Sequence, residues 1–171
     1  MDIPLCQSAC EITGRIIFEE TIPTNADAKL RVIDTIMTRL AQRSELSEQA
    51  RFRHRLCLDE ALENALDHGN GYDPAKKVKV VMFEDGDSWG VTVSDEGEGF
   101  DPATIPNPRS AEGLYKESGR GIFIMSQFMS RVEYFDEGRT VLLQLDRASE
   151  ERGSATAETP ASGTTANPGG D

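Results

Sequence analysis

The chain has 171 residues, 37% hydrophobic and 28% charged, which suits one globular domain with room for a tail. Its formal net charge of −12 argues against broad attraction to nucleic acid phosphate or anionic lipid. The nearest thing to a basic patch, Arg51, Arg53 and Arg55, is offset by Glu45, Glu48, Asp59 and Glu60.

No apolar run is long enough to span a bilayer. Met1-Asp2-Ile3-Pro4 lacks the basic start and apolar stretch of a secretory signal, so a cytoplasmic location is expected. Three cysteines, Cys6, Cys10 and Cys57, fit reduced thiols in that compartment. Cys6 and Cys10 have helix-like spacing and could supply two zinc ligands, but nothing nearby offers the other two, which favours unligated thiols.

After an N-terminal segment, 1–12, the run Ile16-Ile17-Phe18 predicts a strand within residues 11–22, and Pro23 and Asn25 predict a turn and a helix start. Over 27–43, Leu30, Ile33, Ile36, Met37 and Leu40 fall at helical spacing with one buried face. Ser44 and Ser47 are candidate caps for a second helix running from about Ser47 to Asp67, with Gly69 placed to stop it in a left-handed conformation. The period then changes. Val78–Phe83 and Trp89–Val93 read as an antiparallel hairpin across Asp85-Gly86. Residues 101–118, with three prolines, predict a long loop, of a length usually tied to function or mobility. Gly121–Met129 reads as a helix with Ile122, Met125, Phe128 and Met129 inward, and Val132–Phe135 and Thr140–Leu145 as a second hairpin across Asp136-Glu137-Gly138. Residues 148–171, rich in Ser, Thr, Ala, Gly and Pro, are expected to be a disordered tail. This order implies an α+β domain, 13–147, with a mostly antiparallel sheet covered by helices on one face.

Three segments carry chemistry. In Glu60-Ala-Leu-Glu-Asn64-Ala-Leu-Asp-His68-Gly69, positions 60, 64 and 68 share a helix face. Asn64 offers a neutral oxygen suited to Mg²⁺, which keeps several waters and takes few protein ligands. Glu60, one turn earlier, can take a proton from an attacking hydroxyl. A plain solvent-facing polar stripe fits the same residues equally well. In Asp95-Glu96-Gly97-Glu98-Gly99-Phe100 a strand ends in an acceptor-only carboxylate that can receive the adenine amino group, where guanine would present a repelling carbonyl. Gly97 and Gly99 let backbone approach a flat ligand, although an ordinary acidic turn has the same composition. In Ser118-Gly119-Arg120-Gly121-Ile122 glycines open a helix, leaving N–H groups and the positive helix end for an anion, with Arg120 adding charge or pointing to solvent. The same residues suit a simple loop-to-helix turn. The phosphate-binding motif G-x-x-x-x-G-K-[ST] is absent.

In order and spacing these segments resemble the GHKL ATPase superfamily, which includes gyrase B, Hsp90, histidine kinases and MutL. Glu60–Gly69 matches its N-box, Asp95–Phe100 its first glycine box and Gly119–Gly121 its second. Within it, Glu-Ala-Leu-x-Asn-Ala-x-x-His-Gly-Asn, Asp-Glu-Gly-x-Gly-Phe-Asp-Pro and Ser-Gly-Arg-Gly-Ile-Phe-Ile-Met are most similar to the bacterial anti-sigma-factor serine/threonine kinases, or switch-protein kinases, across residues 13–146.

The resemblance implies a Bergerat two-layer sandwich that binds ATP and Mg²⁺. It makes Asn64 the Mg²⁺ ligand, Glu60 the general base and Asp95 the adenine acceptor. Gly97 and Gly99 become the adenine wall, Gly119 and Gly121, with Arg120 between them, the phosphate turn, Thr140 a strand threonine near adenine, and 101–118 an ATP lid. It further implies phosphorylation of a small STAS-type anti-sigma-factor antagonist, sequestration of a sigma factor, a homodimer with helix 27–43 as a plausible partner surface, and no direct contact with nucleic acid or membrane. ATP-dependent sequestration without transfer, a plain ATPase and an orphan sensor-kinase catalytic domain remain alternatives. The sequence departs from the family pattern at Glu63, an extra acid beside Asn64, and at Arg120 between the glycines. Neither His54 nor His68 lies in a separate dimerisation helix, so autophosphorylation on histidine is not expected.

Overall fold

The computed structural model describes residues 5–6, 10–43, 46–86, 88–101 and 119–146. The expected cap Ser44, all of the lid but Asp101, and the C-terminal tail lie outside these residues. Five strands, β1 (Arg15–Pro23), β2 (Lys77–Asp85), β3 (Ser88–Ser94), β4 (Arg131–Phe135) and β5 (Thr140–Asp146), form one sheet in the order β1-β2-β3-β5-β4. Every pairing between these strands is antiparallel, and an isolated parallel bridge joins Leu5 to Tyr134 among the described residues.

Helices α1 (Ala26–Ala41), α2 (Glu48–Glu63) and α3 (Arg120–Phe128) form the second layer. The fold is therefore the expected α+β two-layer sandwich. Asn25 caps α1 by accepting from the Ala28 N–H at 2.9 Å, and Ser47 caps α2 by accepting from Ala50 at 3.1 Å. Each such cap contributes about 1 kcal/mol.

Strand alternation divides the sheet. Val78, Val80, Met82, Val91, Val93, Val141 and Leu143 join the helices' Ile33, Ile36, Leu58, Leu62 and Met125 in the main core. The opposite parity, Phe83, Leu142 and Phe135, forms a small second cluster beneath Cys6, Cys10 and Ile12. Leu30, expected on the buried face of α1, is 48% exposed. Ala28 and Val32 are buried instead, which turns the inward stripe away from Leu30.

The second helix differs most from expectation. It stays α-helical only to Glu63 and then widens into one π turn, Asn64–Gly69. Gly69 does not end it in a left-handed conformation; Gly71 (φ 62°) and Tyr72 (φ 53°) make that reversal two residues later. Gly69 is needed for space, because a Cβ there would run into the Asp95 carboxylate. The buried Asn70 side chain then ties the turn down. Its Nδ2 donates to Thr24 Oγ1 and to the Lys77 carbonyl, both at 3.0 Å, and its Oδ1 accepts from the Glu96 N–H at 2.8 Å.

Candidate functional site

A cleft of about 230 Å³ opens between the helices and the C-terminal end of β3. Its helical wall is Ala61, Asn64, Ala65, His68 and Gly69; Val93, Tyr134 and Val141 form the sheet floor. Asp95, Gly99 and Phe100 close one end with Gly138 and Arg139, and Gly119 and Ile122 bring in the start of α3. Three segments far apart in sequence thus meet around one space. A π turn within an α-helix often marks a functional position, and here it carries Asn64, His68 and Gly69 along one wall.

Asp95 is half-buried against Gly69. Its Oδ1 accepts from the Gly97 N–H at 2.8 Å, and Oδ2 has no partner among the described residues. Burial raises its pKa, opposed by that N–H and by the charges of Arg139 and Lys76, while Asp136 adds to the rise. Gly97 does not line the cleft. A Cβ there would strike the Gly69 carbonyl, so this glycine lets the box lie flat on the π turn. Gly99, at φ 80°, does line it, and its side-chain position is taken by the Glu137 carbonyl, which also accepts from the Phe100 N–H at 2.9 Å.

At the other end Gly119 caps α3 with φ 99°, a left-handed conformation that favours glycine, and no side chain among the described residues caps the helix. Among the described residues the first N–H groups of α3 have no partner, and the positive end of the helix dipole lies behind them, an arrangement suited to an anion. Gly121 faces Glu60 so closely that a Cβ would meet its carboxylate. Glu60 thus stands beside the cleft against the first turn of α3 rather than lining the cleft itself. Burial raises the Glu60 pKa and Asp59 adds to the rise, while the charges of Arg120 and Lys29 oppose it. Arg120 is exposed.

Asn64 presents a half-buried side-chain amide to the cleft. Its neighbour Glu63 does not face solvent alone. Lys29 Nζ reaches Glu63 at 2.6 Å and Asp59 at 3.0 Å, and the Tyr72 hydroxyl donates to Glu63 at 2.5 Å, tying α1 to α2 and to the turn after it. Thr140 is placed away from the cleft. It shares the outward parity of Leu142, and its hydroxyl donates to Ser94 Oγ across the β3–β5 pair at 2.8 Å. Its neighbours Arg139 and Val141 line the cleft instead. Tyr134 was not singled out in the sequence, although its even position between the core residue Val132 and the turn signals a core-facing side chain.

Together, a neutral amide and an uncapped helix start at one end and an acceptor carboxylate in a backbone-walled slot at the other fit a ligand with an anionic tail and a flat, donor-bearing head. Comparison with known proteins bears on that class of site. The histidine kinase-like ATPase domain family matches residues 22–145, and the chain belongs to it. It is thus a kinase-like domain of the GHKL superfamily, and ATP is the ligand that this membership implies.

Among curated proteins the chain is similar to the serine/threonine-protein kinase BtrW of Bordetella bronchiseptica, 27% identical over 97 residues that cover 56% of this chain and 68% of that protein. The resemblance to the GHKL superfamily and to its protein kinases holds on these two findings. Among the described residues no helix is long and apolar enough to cross a membrane.

Proposed function

We propose that the chain is a Mg²⁺–ATP-dependent serine/threonine kinase that phosphorylates a small STAS-type anti-sigma-factor antagonist, in a cytoplasmic partner-switching system that includes a sigma factor. The single observation that carries this reading is the convergence of Asn64, Asp95 and Gly119 on one cleft with Glu60 beside it. The similarity to BtrW, a serine/threonine-protein kinase, supports the class of acceptor.

In this reading Asp95 Oδ2 accepts the adenine amino group, while the backbone at Gly99 walls the ring. The N–H groups following Gly119 receive the phosphates, and the Asn64 oxygen fits the cation as one protein ligand among waters and phosphate oxygens. When bound, Mg²⁺ would neutralise charge developing on the phosphates. Glu60 takes the proton of the acceptor hydroxyl, and a pKa raised by burial suits it to that task. Arg120, exposed one residue from Gly119, is positioned to add positive charge near the transferred group or to meet the acceptor protein. A homodimer is part of the proposal, with α1 among its candidate surfaces.

The test is transfer of radiolabelled phosphate from ATP to candidate antagonists by the wild type and by Glu60→Gln. Expected is an acid-stable label, lost in Glu60→Gln while ATP affinity stays within a few-fold. No label on any antagonist, with ATP still bound, favours a sequestering module. An acid-labile label points to phosphohistidine and a sensor-kinase domain, and label-free ATP hydrolysis to a plain ATPase.

A further inference from the structure

Tyr134 is 3% exposed and sits on the cleft floor. Its backbone and its ring are both held. The backbone is paired with Val141 of β5, its carbonyl accepts the Cys6 N–H at 2.8 Å, and Phe100 meets the ring edge-on at 5.0 Å between centroids. Yet the hydroxyl has no hydrogen-bond partner among the described residues. A buried hydroxyl left unpaired costs on the order of 1–3 kcal/mol, so its persistence on a cleft floor calls for a role. Asn64, on the helical wall of the same cleft, presents the amide that opposes the rise which burial imposes on the phenol. Asn64 itself is held by nothing else described, so its amide is free to present either end to the cleft.

We infer that Tyr134 is a positioning residue that fixes the orientation of Asn64. When ligand binds, the amide swings so that Asn64 Nδ2 donates to the Tyr134 hydroxyl, and Asn64 Oδ1, the only end able to bind a cation, points into the cleft. The amide carries one acceptor oxygen and one NH₂ that cannot ligate a cation, so holding the nitrogen on the sheet floor selects the ligating rotamer. No atom is transferred and no proton moves. The inference rests on the Mg²⁺–ATP reading proposed above and adds to it the group that keeps the ligand amide in register.

The experiment is Tyr134→Phe, which keeps the ring and removes only the unpaired oxygen. ATP affinity is measured by calorimetry with Mg²⁺ and again with EDTA, and the Asn64 side-chain NH₂ resonances are followed by NMR. Expected are an unchanged or slightly raised Tm, unchanged affinity in EDTA, and about a tenfold loss with Mg²⁺, the usual cost of removing a partner that orients a metal ligand. The Asn64 NH₂ signals should shift on Mg²⁺–ATP binding in the wild type and not in the variant. Equal losses with and without Mg²⁺ would make Tyr134 a direct nucleotide contact or a purely structural residue and overturn the inference, as would an unaltered Mg²⁺ response. A wild type lacking any Mg²⁺-dependent affinity would overturn the Mg²⁺–ATP reading itself, which separates the two failures.

Discussion

One oxygen of Asp95 is committed to the Gly97 N–H while the other is left open beside Gly69, so a ligand donor meets an acceptor already aimed and partly desolvated. Asp95→Asn keeps the shape, replaces a charged acceptor with a neutral amide, and is expected to weaken ATP binding by about 1.5–3 kcal/mol in calorimetry. Because burial raises the Asp95 pKa, the acceptor form is lost on acidification earlier than for an exposed aspartate. Wild-type affinity should therefore fall as pH drops towards the raised value, and the Asn variant should lack that acid limb. Unchanged affinity in Asp95→Asn would remove the residue from the site. That Asp95, Asn64 and Gly119 would meet around one cleft was legible because each combines a residue type with a local position: strand end, helix face, helix start. Thr140 stands outside the cleft lining for an equally local reason. Strand parity sets it with Leu142 on the outer face, and its neighbours Arg139 and Val141 look into the cleft.

At the scale of elements, the strands and helices followed from periodicity, since their apolar residues recur at spacings of two or of three and four. The π turn did not. Six residues are too few to distinguish its wider spacing from an α-helix, and Gly69 looked like a helix stop because its real constraint, the Asp95 carboxylate, comes from another segment. The role of Asn70 is hidden for the same reason, as its partners Thr24, Lys77 and Glu96 are distant in sequence. It joins the π turn, the start of β2 and the first glycine box at one buried point. Asn70→Ala would leave the Glu96 N–H and the Lys77 carbonyl short of partners, at an expected cost of about 2–4 kcal/mol in chemical unfolding. Because the same amide sets the distance between Gly69 and the glycine box, nucleotide affinity should fall with stability. A variant with wild-type stability and affinity would show that the glycine box is held by other contacts.

Across the whole molecule, the two layers meet where His54 of α2 packs edge-on to Trp89 of β3, ring centroids 5.0 Å apart, with the histidine 3% exposed. Burial, assisted by the charge of Arg53, lowers its pKa to about 4 from an ordinary 6.5. The unfolded chain therefore binds a proton in a pH range where the folded one does not, and stability rises with pH across that window. This contribution is complete above about pH 6.5 and is lost as pH falls from there towards 4. From the two pKa values, roughly 2 kcal/mol should disappear between pH 7 and pH 5. The raised carboxyls of Asp95 and Glu60 work in the opposite sense, since their folded forms hold protons more tightly and favour the fold on acidification. Urea unfolding at pH 5, 6 and 7, for the wild type and for His54→Gln, separates these contributions. Expected is a wild-type stability that drops steadily towards pH 5 and a His54→Gln variant that is less stable at pH 7 but has lost most of that slope. If the variant keeps the wild-type slope, the acid sensitivity arises elsewhere and the His54–Trp89 contact is a pH-insensitive part of the interface between the layers.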